Sequence, residues 1–174
     1  MSSRDATSQN ETKRLYIVRH ADAGDPSEWI GPDSERPLST KGVKQAARLA
    51  AALVTAGTHI GSLRTSPARR CTETCAVIAA ALETTATIDE RLLDGAPVSH
   101  VTKLLGHRGQ GSMLLVGHQP HLGALIAELT GISTIPVEKG SLIRIDIDAP
   151  FTPGSGRIVA VMPPAILRAP KGER

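Results

Sequence analysis

The sequence predicts one open α/β sheet with helices on both faces, and three observations carry that expectation. Short apolar runs at 15–18, 60–65 and 113–116 are each followed by a segment whose apolar residues recur at helical spacing. Helix start signals stand at the junctions between them. With 40% apolar and 21% charged residues, a chain of 174 residues has material for one core of ordinary size.

Residues 1–13 are polar and aperiodic and are expected to form a flexible tail, leaving a domain over 14–165 and a short C-terminal tail over 166–174. The run LYIV at 15–18 reads as a strand. It feeds the loop ADAGDPSEWIGPDSERP, too rich in Gly, Pro and Asp for regular structure. Next, Val43, Ala46, Ala47, Ala50, Leu53 and Val54 follow helical spacing, with Ser39 or Thr40 as the cap. After a strand at 60–65, Ser66 is expected to cap a helix with Pro67 at its first position and Cys71, Cys75, Ile78, Ala79 and Leu82 as its buried stripe.

Residues 85–88 read as a weak strand and 98–105 as a short helix. The run MLLV at 113–116 is a buried strand closed by Gly117, after which Pro120 opens a helix with Leu122, Leu125, Ile126 and Leu129 on one face. Residues 141–147 and 157–162 flank a Gly- and Pro-containing loop and read as a hairpin-like pair. Such open sheets bind ligands beyond the ends of their strands.

Composition excludes several function classes. Aromatic residues make up only 2%, with single copies of Tyr16, Trp29 and Phe151, too few for base-stacking surfaces, so no nucleic-acid partner is expected. No run of 18 apolar residues exists and the start carries no apolar signal core, so no membrane partner is expected and the cytoplasm is the expected location. The net charge of +3 is mostly terminal, because four cations and one anion lie from Arg157 onward and the rest is balanced. An anion site must then come from locally gathered arginines. Cys71 and Cys75, four apart in a helical pattern, are expected to be reduced thiols packed as small apolar groups.

Each of the three best strands ends in a basic or imidazole group: Arg19 and His20, then Arg69 and Arg70, then His118. Parallel strands bring these ends to one edge, where like charges repel unless an anion sits among them. A guanidinium fork matches two phosphate oxygens, so a phosphoryl group is the natural occupant.

The segments that carry these residues resemble the histidine phosphatase superfamily. LYIVRHADAG is similar to its Arg-His-Gly signature, with Ala21 where Gly is usual; TSPARRCTET resembles its Ser-Pro-x-x-Arg helix start; and VGHQP resembles the segment of its second histidine. ERPLSTKGVKQA resembles an element of the small bacterial phosphohistidine phosphatases. The four segments run in order from residue 14 to about 121. The resemblance implies a three-layer α/β/α fold with a mostly parallel central sheet. It also implies a phosphatase with a phosphohistidine intermediate on His20, phosphate-holding roles for Arg19, Arg70 and His118, and neither cofactor nor metal. Arg69 falls on a variable position and is expected to be solvated or ion-paired.

The acid for the leaving group stays open among Glu90, Asp94 and Asp22. Arg36 stays open between substrate binding and a loop anchor paired with Asp33 or Glu35. His118 and His121 have a metal-like spacing, but the helix start between them and the want of a partner ligand argue against zinc. His59, His100 and His107 are expected to be exposed. A short chain without long insertions fits an open pocket and a protein phosphohistidine as substrate. The alternatives are a small-molecule phosphomonoester phosphatase, a phosphoglycerate mutase-like enzyme, and a non-catalytic module that binds phosphate or phosphohistidine.

Overall fold

The computed structural model describes residues 11–107, 111–133 and 135–167. Its centre is a six-stranded sheet of β1 (Thr12–Arg19), β2 (Ser62–Thr65), β3 (Ala86–Ile88), β4 (Ser112–Gly117), β5 (Leu142–Asp148) and β6 (Gly156–Met162), in the order β3-β2-β4-β1-β5-β6. The first four of these positions are joined by parallel pairings, and β5 and β6 add antiparallel at one edge. This is the expected three-layer α/β/α fold with a mostly parallel sheet.

Alternation along β1 divides the core. Leu15 and Ile17 pack toward a cluster that includes α4 (Val98–Leu105) and α5 (His121–Thr130). Tyr16 and Val18 face the opposite cluster, with residues of α1 (Thr40–Thr55) and α2 (Arg69–Ala81). Helices on both faces force successive residues of the central strand to be apolar, as LYIV is. Each fully buried leucine or isoleucine of these clusters contributes about 1.5–3 kcal/mol of transfer free energy.

Four local expectations are corrected. The tail is shorter than 1–13 because Thr12 and Lys13 already belong to β1, with Lys13 buried and paired to Glu11; residues 1–10 and 168–174 lie outside the described residues. In α1 the buried stripe is Gly42, Ala46, Leu49, Ala50 and Leu53, while Val43 and Val54 are about half exposed. Gly42 sets this phase, since a Cβ there would lie 1.9 Å from the Asp22 carbonyl oxygen and no other residue permits that approach. Ser66 does not cap α2, whose N-cap is Ala68. His100 is not exposed: its Nε2 lies 2.7 Å from Oδ2 of the buried Asp89, beside the short helix α3 (Arg91–Asp94) that no periodicity announced.

Register delivers the chemistry to one edge. Arg19 is opposite Gly117 across β1 and β4, and Thr65 is opposite Val116 across β2 and β4. The next residues on all three strands, His20, Ser66 and His118, therefore emerge together. The His20 N–H donates to the Gly117 carbonyl at 3.0 Å and the Ser66 N–H to the Val116 carbonyl at 3.0 Å.

Candidate active site

His20 is buried at the end of β1, and its ring lies edge-on to His118, with centroids 5.6 Å apart and planes at 60°. Its Nδ1 is 2.8 Å from the Ala21 carbonyl oxygen. A carbonyl only accepts, so Nδ1 carries the proton and Nε2 is left as the basic nitrogen. Burial is the main reason the His20 pKa falls to about 3, helped by the charges of Arg70, His118 and Arg19 and opposed by the Ala21 hydrogen bond. The imidazole is neutral at pH 7 and free to attack an electrophile.

His118 is held from two sides. Its Nε2 is 2.7 Å from the Ser66 hydroxyl, and its Nδ1 faces Arg70 Nη2 at 3.4 Å. Arginine only donates, so Nδ1 is the acceptor and Nε2–H donates to Ser66 Oγ. Burial, then the charges of Arg70 and His121, pull its pKa down to about 4 despite the opposing pull of Asp33. Behind it lies Cys71, its Sγ 3.6 Å from Nδ1, with the thiol pushed up to about 12 by burial. Cys71 and Cys75 are both free and buried, as expected.

The two arginines expected at the site are tethered by their tips. Arg19 Nη1 donates to the Val137 carbonyl at 2.8 Å, and Arg70 Nη1 to the Asp33 carbonyl at 2.6 Å. In both, the Nε–H is buried and meets no acceptor among the described residues. Arg64 Nε is in the same condition beside Asp89, and a buried donor left unpaired costs about 1–3 kcal/mol. Arg69, by contrast, is exposed and pairs with Glu73 at 2.7 Å on the outer face of α2.

The structure brings His20, Arg70 and His118 together at the ends of β1, β2 and β4, with Arg19 beside them. It does not bring the expected acids into contact with them. Glu90 and Asp94 are exposed around α3. Asp22 braces the loop: its Oδ1 accepts from the Ser39 hydroxyl at 2.6 Å and from the Gly24 N–H at 3.1 Å. Arg36 is buried, with Nε on Asp33 Oδ1 at 2.9 Å and Nη1 on the Ala23 carbonyl at 2.8 Å. The carboxylate that does touch the site is Asp33, whose Oδ2 lies 3.0 Å from Arg70 Nη2. Its only trace in the sequence was the three-residue spacing to Arg36. Among the described residues no three His, Cys, Asp or Glu side chains gather as metal ligands.

Two neutral imidazoles and the guanidinium of Arg70 thus gather at one edge of an α/β sheet, with Arg19 at the end of β1. The sequence profile of the histidine phosphatase superfamily (branch 1) matches residues 15–95. An uncharacterized protein of Picosynechococcus sp. (strain ATCC 27264 / PCC 7002 / PR-6) is 30% identical over 125 residues, 63% of this chain and 68% of that one. Among solved structures, the protein histidine phosphatase SixA complexed with tungstate superposes with a TM-score of 0.79 at 26% identity, covering 89% of this chain and 99% of that one. The mycobacterial glucosyl-3-phosphoglycerate phosphatase shares the fold, with a TM-score of 0.64 at 16% identity over 86% of this chain and 98% of that one. The chain belongs to the histidine phosphatase superfamily. It is a phosphatase.

Proposed function

We propose that this phosphatase hydrolyses protein phosphohistidine through a phosphohistidine formed on its own His20. The observation that carries the proposal is the fixed tautomer of His20, a neutral imidazole with Nδ1 spent on Ala21 and Nε2 left basic, within reach of the charges of Arg70 and Arg19.

In the first half-reaction the Nε2 lone pair attacks phosphorus and the bond to the leaving nitrogen breaks, its electron pair staying on that nitrogen, which takes a proton from water. In the second, water attacks phosphorus, the P–Nε2 bond breaks, and inorganic phosphate leaves. Arg19 and Arg70 hold the non-bridging oxygens, and His118 joins them by turning its Nε2–H from the Ser66 hydroxyl to the phosphoryl group; this is the positioning and charge neutralisation that dominate phosphoryl transfer, so no metal is required. Removing one such donor typically costs about 10²- to 10³-fold in turnover.

The phosphohistidine preference rests on the carboxylates. Asp33 is the one found against Arg70, and the guanidiniums of Arg36 and Arg70 hold it ionised by lowering its pKa although burial opposes them. An ionised carboxylate cannot protonate an alkoxide. A phosphoramidate nitrogen, protonated by solvent, leaves without that help. The similarity to SixA supports the same substrate class, and buried reduced thiols suit a cytoplasmic setting.

The test is a turnover panel of a phosphohistidine protein, phosphoserine and phosphoglycerate, with base-quenched mass spectrometry. The expected result is a preference for the phosphohistidine protein, unchanged in EDTA, with an acid-labile, base-stable phosphoryl group on His20. Preference for a phosphomonoester metabolite would replace the substrate assignment, and an active His20→Ala enzyme would overturn the mechanism.

A further inference from the structure

We propose that Asp33 is a positioning residue of the phosphate site, fixing Arg70 and Arg36 in the arrangement that receives the phosphoryl group. The inference rests on the assignment of Arg70 as a phosphate ligand.

Asp33 opens the short 3₁₀ turn Asp33–Glu35, and Arg36 is its C-cap. In a 3₁₀ turn residues i and i+3 eclipse, which places the Asp33 carboxylate and the Arg36 side chain on one side. Oδ1 then accepts from Arg36 Nε at 2.9 Å and Oδ2 sits 3.0 Å from Arg70 Nη2, while the Asp33 carbonyl accepts from Arg70 Nη1 at 2.6 Å. Although the Asp33 side chain is 58% exposed, both its oxygens are turned onto guanidiniums whose side chains are 8% and 11% exposed. An ordinary exposed ion pair does not have two buried partners.

The consequence is geometric. Arg70 is gripped through both terminal nitrogens, so its position beside the His118 ring is fixed. The consequence is also electrostatic. The Asp33 carboxylate stands between two guanidiniums, 2.9 Å from Arg36 and 3.0 Å from Arg70, and offsets their repulsion. Without the carboxylate, Arg70 keeps the Asp33 carbonyl and the His118 ring as partners and loses its counter-charge.

The experiment is a double-mutant cycle on Asp33→Asn and Arg70→Ala, read by calorimetric binding of inorganic phosphate and by turnover of phosphoramidate. Asp33→Asn is expected to weaken phosphate binding about tenfold, the loss of one charge-assisted hydrogen bond, and to raise KM by a similar factor with kcat changed less than about threefold. In the Arg70→Ala background the same substitution should change phosphate binding less than about twofold, because its effect runs through Arg70. Circular dichroism confirms that each variant folds, as expected for a change on an exposed turn. Tighter phosphate binding by Asp33→Asn would show the carboxylate to be a competing anion and overturn the inference. Equal losses in both backgrounds would overturn it too. A wild-type protein that binds no phosphate would overturn the phosphate assignment and this inference with it, whereas normal wild-type binding with an indifferent Asp33→Asn would overturn this inference alone.

Discussion

The Ser66 hydroxyl lies 2.7 Å from Nε2 of His118, across 52 residues of sequence. Because Nδ1 of the same ring faces Arg70 at 3.4 Å, the hydroxyl is the group that receives the imidazole proton and fixes the tautomer. Ser66→Ala leaves a buried Nε2–H without an acceptor, a cost of about 1–3 kcal/mol. The expected outcome is a fall of roughly tenfold in kcat/KM. The ¹⁵N shifts of His118 should move with it, and unchanged shifts would break the link between Ser66 and the tautomer.

The two imidazoles set a pH dependence of opposite sense to the ordinary surface histidine. With pKa values of about 3 and about 4, His20 and His118 stay neutral in the folded enzyme far below the ordinary value of 6.5. The unfolded chain therefore binds more protons between those limits, and stability falls as pH drops below about 6.5. For His20 the slope reaches up to about 1.4 kcal/mol per pH unit, and His118 adds to it over a narrower range. Thermal unfolding from pH 7.5 to 4.5 should show the loss, and His20→Gln should flatten it. By the same argument, kcat/KM of the free enzyme should lack an acid limb near pH 6.5, since the attacking nitrogen is not yet protonated there. An acid limb near pH 6.5 in wild-type kcat/KM would contradict the neutral nucleophile.

Arg19, His20 and His118 were legible because each follows a strongly apolar run, and parallel strands bring such ends together whatever their separation in sequence. Arg70 needed the likeness of TSPARR to a known helix start, since helical periodicity alone does not choose between adjacent arginines. The phase of α1 was not legible. The residue that fixes it, Gly42, carries no apolar signal and is buried against the Asp22 backbone instead. Asp33 was hidden for a related reason: it stands in a loop with Asp25, Glu28 and Glu35, and only the tertiary approach of Arg70 distinguishes it. The acid candidates Glu90 and Asp94 stand exposed on the flanks of α3.

Gly42 gives a direct test of how tightly α1 is joined to the nucleophile loop. The Ser39 side chain accepts from the Gly42 N–H at 3.0 Å and donates to Asp22 Oδ1 at 2.6 Å, and the Ser39 N–H donates to the Asp22 carbonyl at 3.0 Å. A Cβ at 42 would meet that carbonyl oxygen at 1.9 Å, a backbone clash that no side-chain rotation relieves. Gly42→Ala should destabilise the fold by about 1–3 kcal/mol, the usual cost of overpacking, although alanine is the better helix former. Denaturant unfolding measures it, and an unchanged or raised midpoint would show that α1 can pull away from Asp22 freely. Activity should fall further than stability, because Asp22 lies two residues beyond His20.

Arg69 and Arg70 are adjacent yet should differ sharply in their contribution to catalysis. Successive helical residues point about 100° apart, and the structure turns Arg70 inward, where its side chain is 11% exposed, and leaves Arg69 half exposed on Glu73. Arg70→Ala should lower kcat/KM by roughly 10²-fold or more, about 2.7 kcal/mol of transition-state stabilisation. Arg69→Ala removes only a surface pair worth under about 1 kcal/mol and should change kcat/KM less than about fivefold. Lysine at 70 should rescue in part, since its point charge reaches the anion but cannot grip Asp33 with two terminal nitrogens. Because the charge of Arg70 adds to burial in lowering the pKa of His20 and His118, Arg70→Ala should raise both imidazole pKa values, visible as an upward shift of their NMR titrations toward pH 6.5. A damaging Arg69→Ala beside a mild Arg70→Ala would mean that the phosphoryl group is held on the outer face of α2, and the site would have to be redrawn around Glu73 and the helix surface.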